Sequence, residues 1–189
     1  GQGPPRAQAI RVILVELQRI ASHLVWLGTH ALDLAAMSVF LYCFREREAI
    51  LDILEMCSGQ RMMTTFFRPG GLWRDVPADF EISVRRFIRT FPVRLDQYHA
   101  LLTKNPIFMD RTRNIGKISA ADAIQWGLTG PSLRGSGPDY DIRERQPYMG
   151  YEQYEFEVPT GTNGDVYDRY LGRMLSLIHI SEPTRLLSR

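Results

Sequence analysis

The sequence has 189 residues, enough for one domain or a little more at about 150 residues per domain. Hydrophobic residues make up 44% and charged residues 23%, near globular averages, which excludes collagen-like, mucin-like and wholly disordered chains. The net charge of +2 does not by itself argue for a nucleic-acid or membrane-surface partner, and the two cysteines, Cys43 and Cys57, supply neither a disulfide framework nor the about four ligands of an iron–sulfur cluster. No secretory signal is visible, so a reducing, cytoplasm-facing compartment is the expectation.

Pro4-Pro5 is a helix-entry signal. Ile10, Ile13, Leu14, Leu17, Ile20, Leu24 and Leu27 then step by three and four, an amphipathic stripe with Arg11, Glu16, Gln18 and Arg19 off it. Gly28 reads as a break. From Trp26 to Phe44 the sequence is apolar on nearly all sides, long enough for a bilayer at about 20 residues. A buried helix is favoured over a span, because aromatic and basic anchors at both ends are lacking. Arg45, Glu46, Arg47 and Glu48 then form a solvated or interface cluster, and helix continues through Leu54.

Arg68-Pro69-Gly70-Gly71 is a turn. Phe80 to Leu102 follows helical spacing, with Arg85, Arg86 and Arg89 as its wet face and Pro92 predicting a kink or two helices. Ser119 to Gly127 is a short capped helix with Asp122 in a capping-box position. Leu128 to Met149 reads as loop. It carries a charge cluster of Arg134, Asp139, Asp141 and Arg143, more a binding surface than a spacer. Tyr154, Phe156 and Val158 alternate with Glu155 and Glu157, which predicts one half-buried strand. Asp165 begins a last helix through Tyr167, Leu171 and Met174. The fold class is mainly α with a little β.

No phosphate-binding glycine loop, catalytic triad or zinc spacing emerges; the four histidines are scattered. Asp33 calls for an explanation, because a carboxylate inside an apolar helix costs several kcal/mol unless it is paired or protonated. It is either bonded to a neighbouring Arg or handles a proton. His30 lies one turn earlier on the same face, where a satisfied buried histidine is the commoner outcome. The stretch from Gly59 to Arg68 sets Arg61 and Arg68 among Met62, Met63, Phe66 and Phe67. It is either a cofactor-facing wall or a helix end with core filler.

The stretches RVILVELQRIASHLVWLGTHALDL, FREREAILDILEMCSGQRM, FFRPGG, NPIFMDRTRNIGKIS, GLTGPSLRGSG, DYDIRERQPYMGYEQYEF and VPTGTNGDVYDRYLGRM, in that order, resemble the D-type subunits of respiratory complex I. The resemblance covers about Pro4 to Met174. It implies part of a nickel–iron hydrogenase large-subunit-like fold and a place in a proton-translocating NADH-quinone oxidoreductase. There the chain would form a wall of the quinone chamber beside the terminal iron–sulfur cluster of a partner subunit. Quinone is then a substrate, while NAD(H) and the clusters reside in partner subunits and no metal is bound here. The other hydrophilic and membrane subunits of the complex are the further partners, and nucleic acid is not one. The implied location is the peripheral arm, on the cytoplasmic side of a bacterial inner membrane, with no transmembrane helix.

In the family a His of a His-Pro-Ser-x-His segment and a Tyr hold the quinone headgroup. Neither segment occurs here, so the chain is read as a fragment lacking both ends, inactive alone. Asp33 in THALDL matches the acidic residue that the family pairs with the headgroup His. His30, Arg61, Met63 and Arg68 are the chamber- or cluster-facing candidates. Many relatives carry a His where this sequence has Met63 or Thr64, so a weaker pH dependence of the neighbouring cluster is expected. After Met174 the string LSLIHISEPTRLLSR departs from the family, and residues 175–189 are expected to be non-native. The competing readings are the large subunit of a membrane-bound nickel–iron hydrogenase, which needs two Cys-x-x-Cys pairs, and a noncatalytic scaffold protein.

Overall fold

Two antiparallel helices form the spine of the structure, a computed structural model that describes residues 3–181, with side chains to 178. Most of the tail expected to be non-native, residues 182–189, lies outside the described residues. Helix α1 spans Pro5–Asp33. Its proline start costs no hydrogen bond, because the first N–H groups of a helix are unpaired anyway. Helix α2 spans Met37–Ser58 and ends at Gly59, whose φ of 77° suits a left-handed cap.

The apolar run from Trp26 to Phe44 is therefore the corner of a helical hairpin rather than one buried helix. The corner closes as a Schellman turn: Ala36 N–H donates to Ala31 O at 2.8 Å and Ala35 N–H to Leu32 O at 2.9 Å. Ala35 takes the left-handed position, with φ 68°. Gly28 does not break α1. A Cβ there would sit 3.4 Å from Cys43 Cβ and from Phe40 Cα, so glycine lets the two helices approach closely.

Past α2 the chain makes one tight hairpin, β1 (Phe67–Arg68) against β2 (Gly71–Leu72), with Phe67 opposite Leu72. Pro69 and Gly70, the latter at φ 84°, form its turn, as expected. Helix α3 spans Phe80–Tyr98 and buries Phe80, Val84, Phe87, Phe91, Leu95 and Tyr98. It runs through Pro92 as one helix and continues as a π-helical turn, His99–Thr103. Pro92 lies on the exposed side, and the buried face either side of it stays in register.

Four short helices follow: α4 (Pro106–Thr112), α5 (Ala120–Gln125), α6 (Gly130–Arg134) and α7 (Ile142–Arg145). Ser119 caps α5 as expected, accepting from Asp122 N–H, while Asp122 takes the Ser119 hydroxyl at 2.7 Å. The segment from Leu128 to Met149 is thus not all loop. Residues 154–158 form no strand, since no neighbouring segment offers a ladder. Their side chains still alternate between half-buried and exposed, which is the pattern the sequence shows. Helix α8 spans Val166–Ser181 and packs on α1, α3 and α6. Asp165 caps it, accepting from Asp168 N–H at 2.8 Å. The core joins α1, α2, α3 and α8, and the chain is mainly α, as expected.

Candidate functional site

The residues singled out from the sequence fall into two places. Asp33 and His30 sit at the C-terminal end of α1, at the hairpin corner. Arg61 and Met63 sit on the loop after α2, beside a cleft of about 410 Å³ between α1 and α2. From Gln18, in the cleft wall, to Asp33 is about 22 Å along α1 at 1.5 Å per residue. One helix thus separates the two groups.

Asp33 is not buried. Its carboxylate is exposed and has no hydrogen bond or ion pair among the described residues. The apolar periodicity suggested a buried group, but α1 stops at Asp33 and the corner lifts it out. Around it Leu32, Met37, Leu41 and Tyr42 are exposed as well. His30 is half-buried. Its ring stacks on Trp26 at 4.7 Å and meets the Phe108 ring edge-on at 6.0 Å. Its Nε2 is buried without a hydrogen-bond partner, so this is not the satisfied histidine of the usual case. Burial and the Arg173 cation push the imidazole below its ordinary range, and Asp33 opposes them. Arg173 itself lies over Trp26, 4.1 Å from the ring centre.

The cleft is walled by Leu14, Val15, Leu51, Leu54 and Phe66, with Arg47 among them. Arg61 also lines it, but its guanidinium binds three carboxylates of α2: Glu48, Asp52 at 2.7 Å and Glu55 at 2.9 Å. Those acids stand at helical spacing on one face, which is why one arginine meets all three. Met63 is 90% exposed, in a left-handed conformation with φ 54°. Arg68 lies just outside the cleft on β1, exposed, its side chain donating to the carbonyl of Phe67. Residues 45–48, expected as a solvated or interface cluster, are only partly exposed. Glu46 is buried, paired with Arg45 at 2.6 Å and Arg94 at 3.4 Å.

A third constellation was only half visible in the sequence. Arg134, Asp141 and Arg143 are buried rather than forming a surface. Asp141 accepts from Arg143 at 2.8 and 3.0 Å and from Arg134 at 3.1 Å. Arg143 reaches Glu16 at 3.5 Å, and Glu16 also takes Arg19 at 3.2 Å and a very short bond from the Tyr151 hydroxyl. Glu16, placed off the apolar stripe, is buried at 2% exposure. Burial works against the Asp141 carboxylate, but the Arg143 and Arg134 bonds hold it below the usual range. The surplus of arginine here acts on His23, half-buried, with Nε2 3.2 Å from Ser176 Oγ. Burial first, and then Arg173, Arg19, Arg134 and Arg143, push it down to about 3.

Among the described residues no group of three or more His, Cys, Asp or Glu side chains is arranged to hold a metal ion. No helix among them is long and apolar enough to cross a membrane.

The family described as the respiratory-chain NADH dehydrogenase, 49 Kd subunit, matches residues 33–180. The chain is 62% identical over 174 residues to one of the NADH-quinone oxidoreductase D-type subunits of Roseiflexus sp. (strain RS-1), covering 92% of this chain and 42% of that protein. It is 60% identical to a D-type subunit from Chloroflexus aurantiacus, covering 92% and 42%, and 57% identical to the one from Geotalea uraniireducens, covering 92% and 45%. The chain thus spans less than half the length of these relatives. They carry the NADH-quinone oxidoreductase name, so the hydrogenase alternative has no support among them. The chain belongs to the 49 kDa subunit family of respiratory-chain NADH dehydrogenase.

Proposed function

We propose that this chain is part of the quinone-reducing subunit of a proton-translocating NADH-quinone oxidoreductase. In this reading it belongs to the peripheral arm, on the cytoplasmic side of a bacterial inner membrane. The hairpin corner faces the quinone chamber, and the loop carrying Arg61 and Met63, with Arg68 on the strand that follows, faces the neighbouring protein with the terminal iron–sulfur cluster. NAD(H) and the clusters belong to partner subunits. Residues 1–174 form the central part of the native domain, and residues 175–189 are not native to it.

The observation that carries the reading is the Asp33 carboxylate, exposed and without a hydrogen-bond partner among the described residues, at the end of a long helix. A helix C-terminus is the negative end of the macrodipole, so an anion placed there gains from a cationic or proton-donating partner. An imidazole supplied by the rest of the full-length protein is such a partner. The carboxylate orients it, stabilises it when charged, and responds when its proton passes to the reduced quinone. Trp26 and Phe108, packed on His30, fix the helix turn that presents Asp33.

Asp33→Asn in the full-length protein, within the assembled complex, tests this. The quinone-reductase rate should fall about tenfold or more, within the range of acid–base contributions. An unchanged rate would overturn the reading and favour a noncatalytic scaffold. The Met63 position gives a second outcome. A side chain that cannot titrate leaves a neighbouring cluster with a potential that depends little on pH, and potentiometric titration of the complex measures that slope. A full proton-linked slope would contradict the placement of this loop.

A further inference from the structure

His30 and Asp33 stand one turn apart on the same face of α1, at its C-terminal end. If that histidine took up a proton, it would be a ready counter-ion for the carboxylate. The structure opposes the charged ring in two ways. A protonated imidazole donates from both nitrogens, and His30 Nε2 is buried without a hydrogen-bond partner, between the rings of Trp26 and Phe108. The second is Arg173 of α8. Its guanidinium lies 4.1 Å from the centre of the Trp26 ring, while His30 stacks on that ring at 4.7 Å. The stacked imidazole covers one face of the indole and leaves the other to the guanidinium. An indole face attracts a cation, but here the indole already serves one, and a second cation across it is repelled.

Arg173 is held in this position. Its Nη1 donates to Arg169 O at 3.2 Å and its Nη2 to Ser132 Oγ at 3.2 Å. Burial first, and then Arg169 and Arg134, push it down to about 10, so it is charged at neutral pH. Among the described residues, Arg173 and Asp33 are the charged groups that act on the His30 ring, in opposite directions. The hydroxyls of Tyr167 and Tyr170, whose rings pack on Phe108 from α8, are turned to Thr103, and Arg113 lies over Tyr167 at 4.6 Å.

We propose that Arg173 is a positioning residue for quinone reduction: seated across Trp26 from His30, it keeps that imidazole from becoming the counter-ion of Asp33, so the carboxylate stays open to its catalytic partner. The inference rests on the reading of Asp33 above. The restraint itself is built wholly from this chain's own residues. Without Arg173, His30 regains the ordinary imidazole range near about 6.5, takes a proton as the pH falls, and captures Asp33.

The test uses the full-length protein in the assembled complex, with quinone-reductase rates at about pH 6 and about pH 8. In Arg173→Gln the ratio of the two rates should fall to about a quarter of the wild-type ratio, the neutral fraction left at about pH 6 for an imidazole near about 6.5. Arg173→Lys keeps the charge and should keep the wild-type ratio. Arg173→Gln combined with His30→Gln should recover it, because no ring is left to take the proton. An unchanged ratio in Arg173→Gln, or a loss that persists in the double variant, would overturn the proposal. His30→Lys leaves Arg173 in place and sets a fixed cation one turn from Asp33, so the rate should fall at both pH values. An undiminished rate there would overturn the proposal even where the Arg173 variants fail to assemble. A normal rate for Asp33→Asn would remove the quinone reading itself, whereas a low one beside an unmoved Arg173→Gln profile would refute the role of Arg173 alone.

Discussion

Glu16 shows how far a single residue's role depends on partners distant in the chain. On α1 it stands outside the apolar stripe, yet it is buried because Arg143 and Tyr151, 127 and 135 residues away, return to satisfy it. A buried carboxylate survives only with such partners, so Glu16, Arg143, Asp141 and Arg134 form one unit. No local pattern announces a contact of that length, whereas the charge of the Arg134 to Arg143 loop was visible in the sequence. His23, beside this unit, gives a pH dependence with a definite sign. An exposed histidine titrates near 6.5, and in the fold His23 is pushed down to about 3. The folded chain therefore binds fewer protons than the unfolded chain between those values. His23's contribution to stability is complete above pH 6.5 and is lost as pH falls toward 3. Each pH unit in that window costs up to about 1.4 kcal/mol. Thermal unfolding at about pH 7 and about pH 5 should show a marked drop for the wild type and a smaller one for His23→Asn. Equal drops would mean that His23 is not the group responsible.

At the scale of elements, the long helices were legible and their corner was not. The stripe from Ile10 to Leu27 and the spacing of Phe80 to Tyr98 carry their own periodicity, and the structure buries both faces. Ala35 in the left-handed position carries no such signal, because glycine or asparagine is the residue usually met there. Gly28 misled for a related reason: a glycine between packed helices looks the same in sequence as one that ends a helix. The 154–158 segment kept its alternation and found no strand to pair with. Where the chain returns to α8, glycine is required by space as well as by dihedral angle. Gly164 has φ 68°, and a Cβ there would lie 2.4 Å from the carbonyl oxygen of Ile118. The Ile118 N–H donates to Gly164 O at 3.0 Å, which holds the two segments at that separation. Gly127 has φ 69° with nothing within 4 Å of its Cβ position. Gly164→Ala should cost more than about 2 kcal/mol and Gly127→Ala about 1 kcal/mol. Chemical denaturation of the two variants measures the difference, and equal costs would contradict the close approach at Gly164.

Across the whole molecule, the candidate site residues fall at two ends of one helical hairpin. One end presents Asp33 among exposed Leu32, Met37, Leu41 and Tyr42; the other presents an arginine-bearing cleft rimmed by methionine. Exposed apolar groups beside an unpaired carboxylate are what a chamber for an apolar ring with polar oxygens requires, and the packed helices of the hairpin set the distance between that corner and the loop at the far end. The central claim is that the hairpin corner faces quinone. Labelling the assembled complex, with its full-length protein, by a photoreactive quinone tests that claim most directly. The label should be recovered on residues 30–42 and be suppressed by excess unlabelled quinone. Competed labelling of this protein wholly outside that stretch would contradict the account.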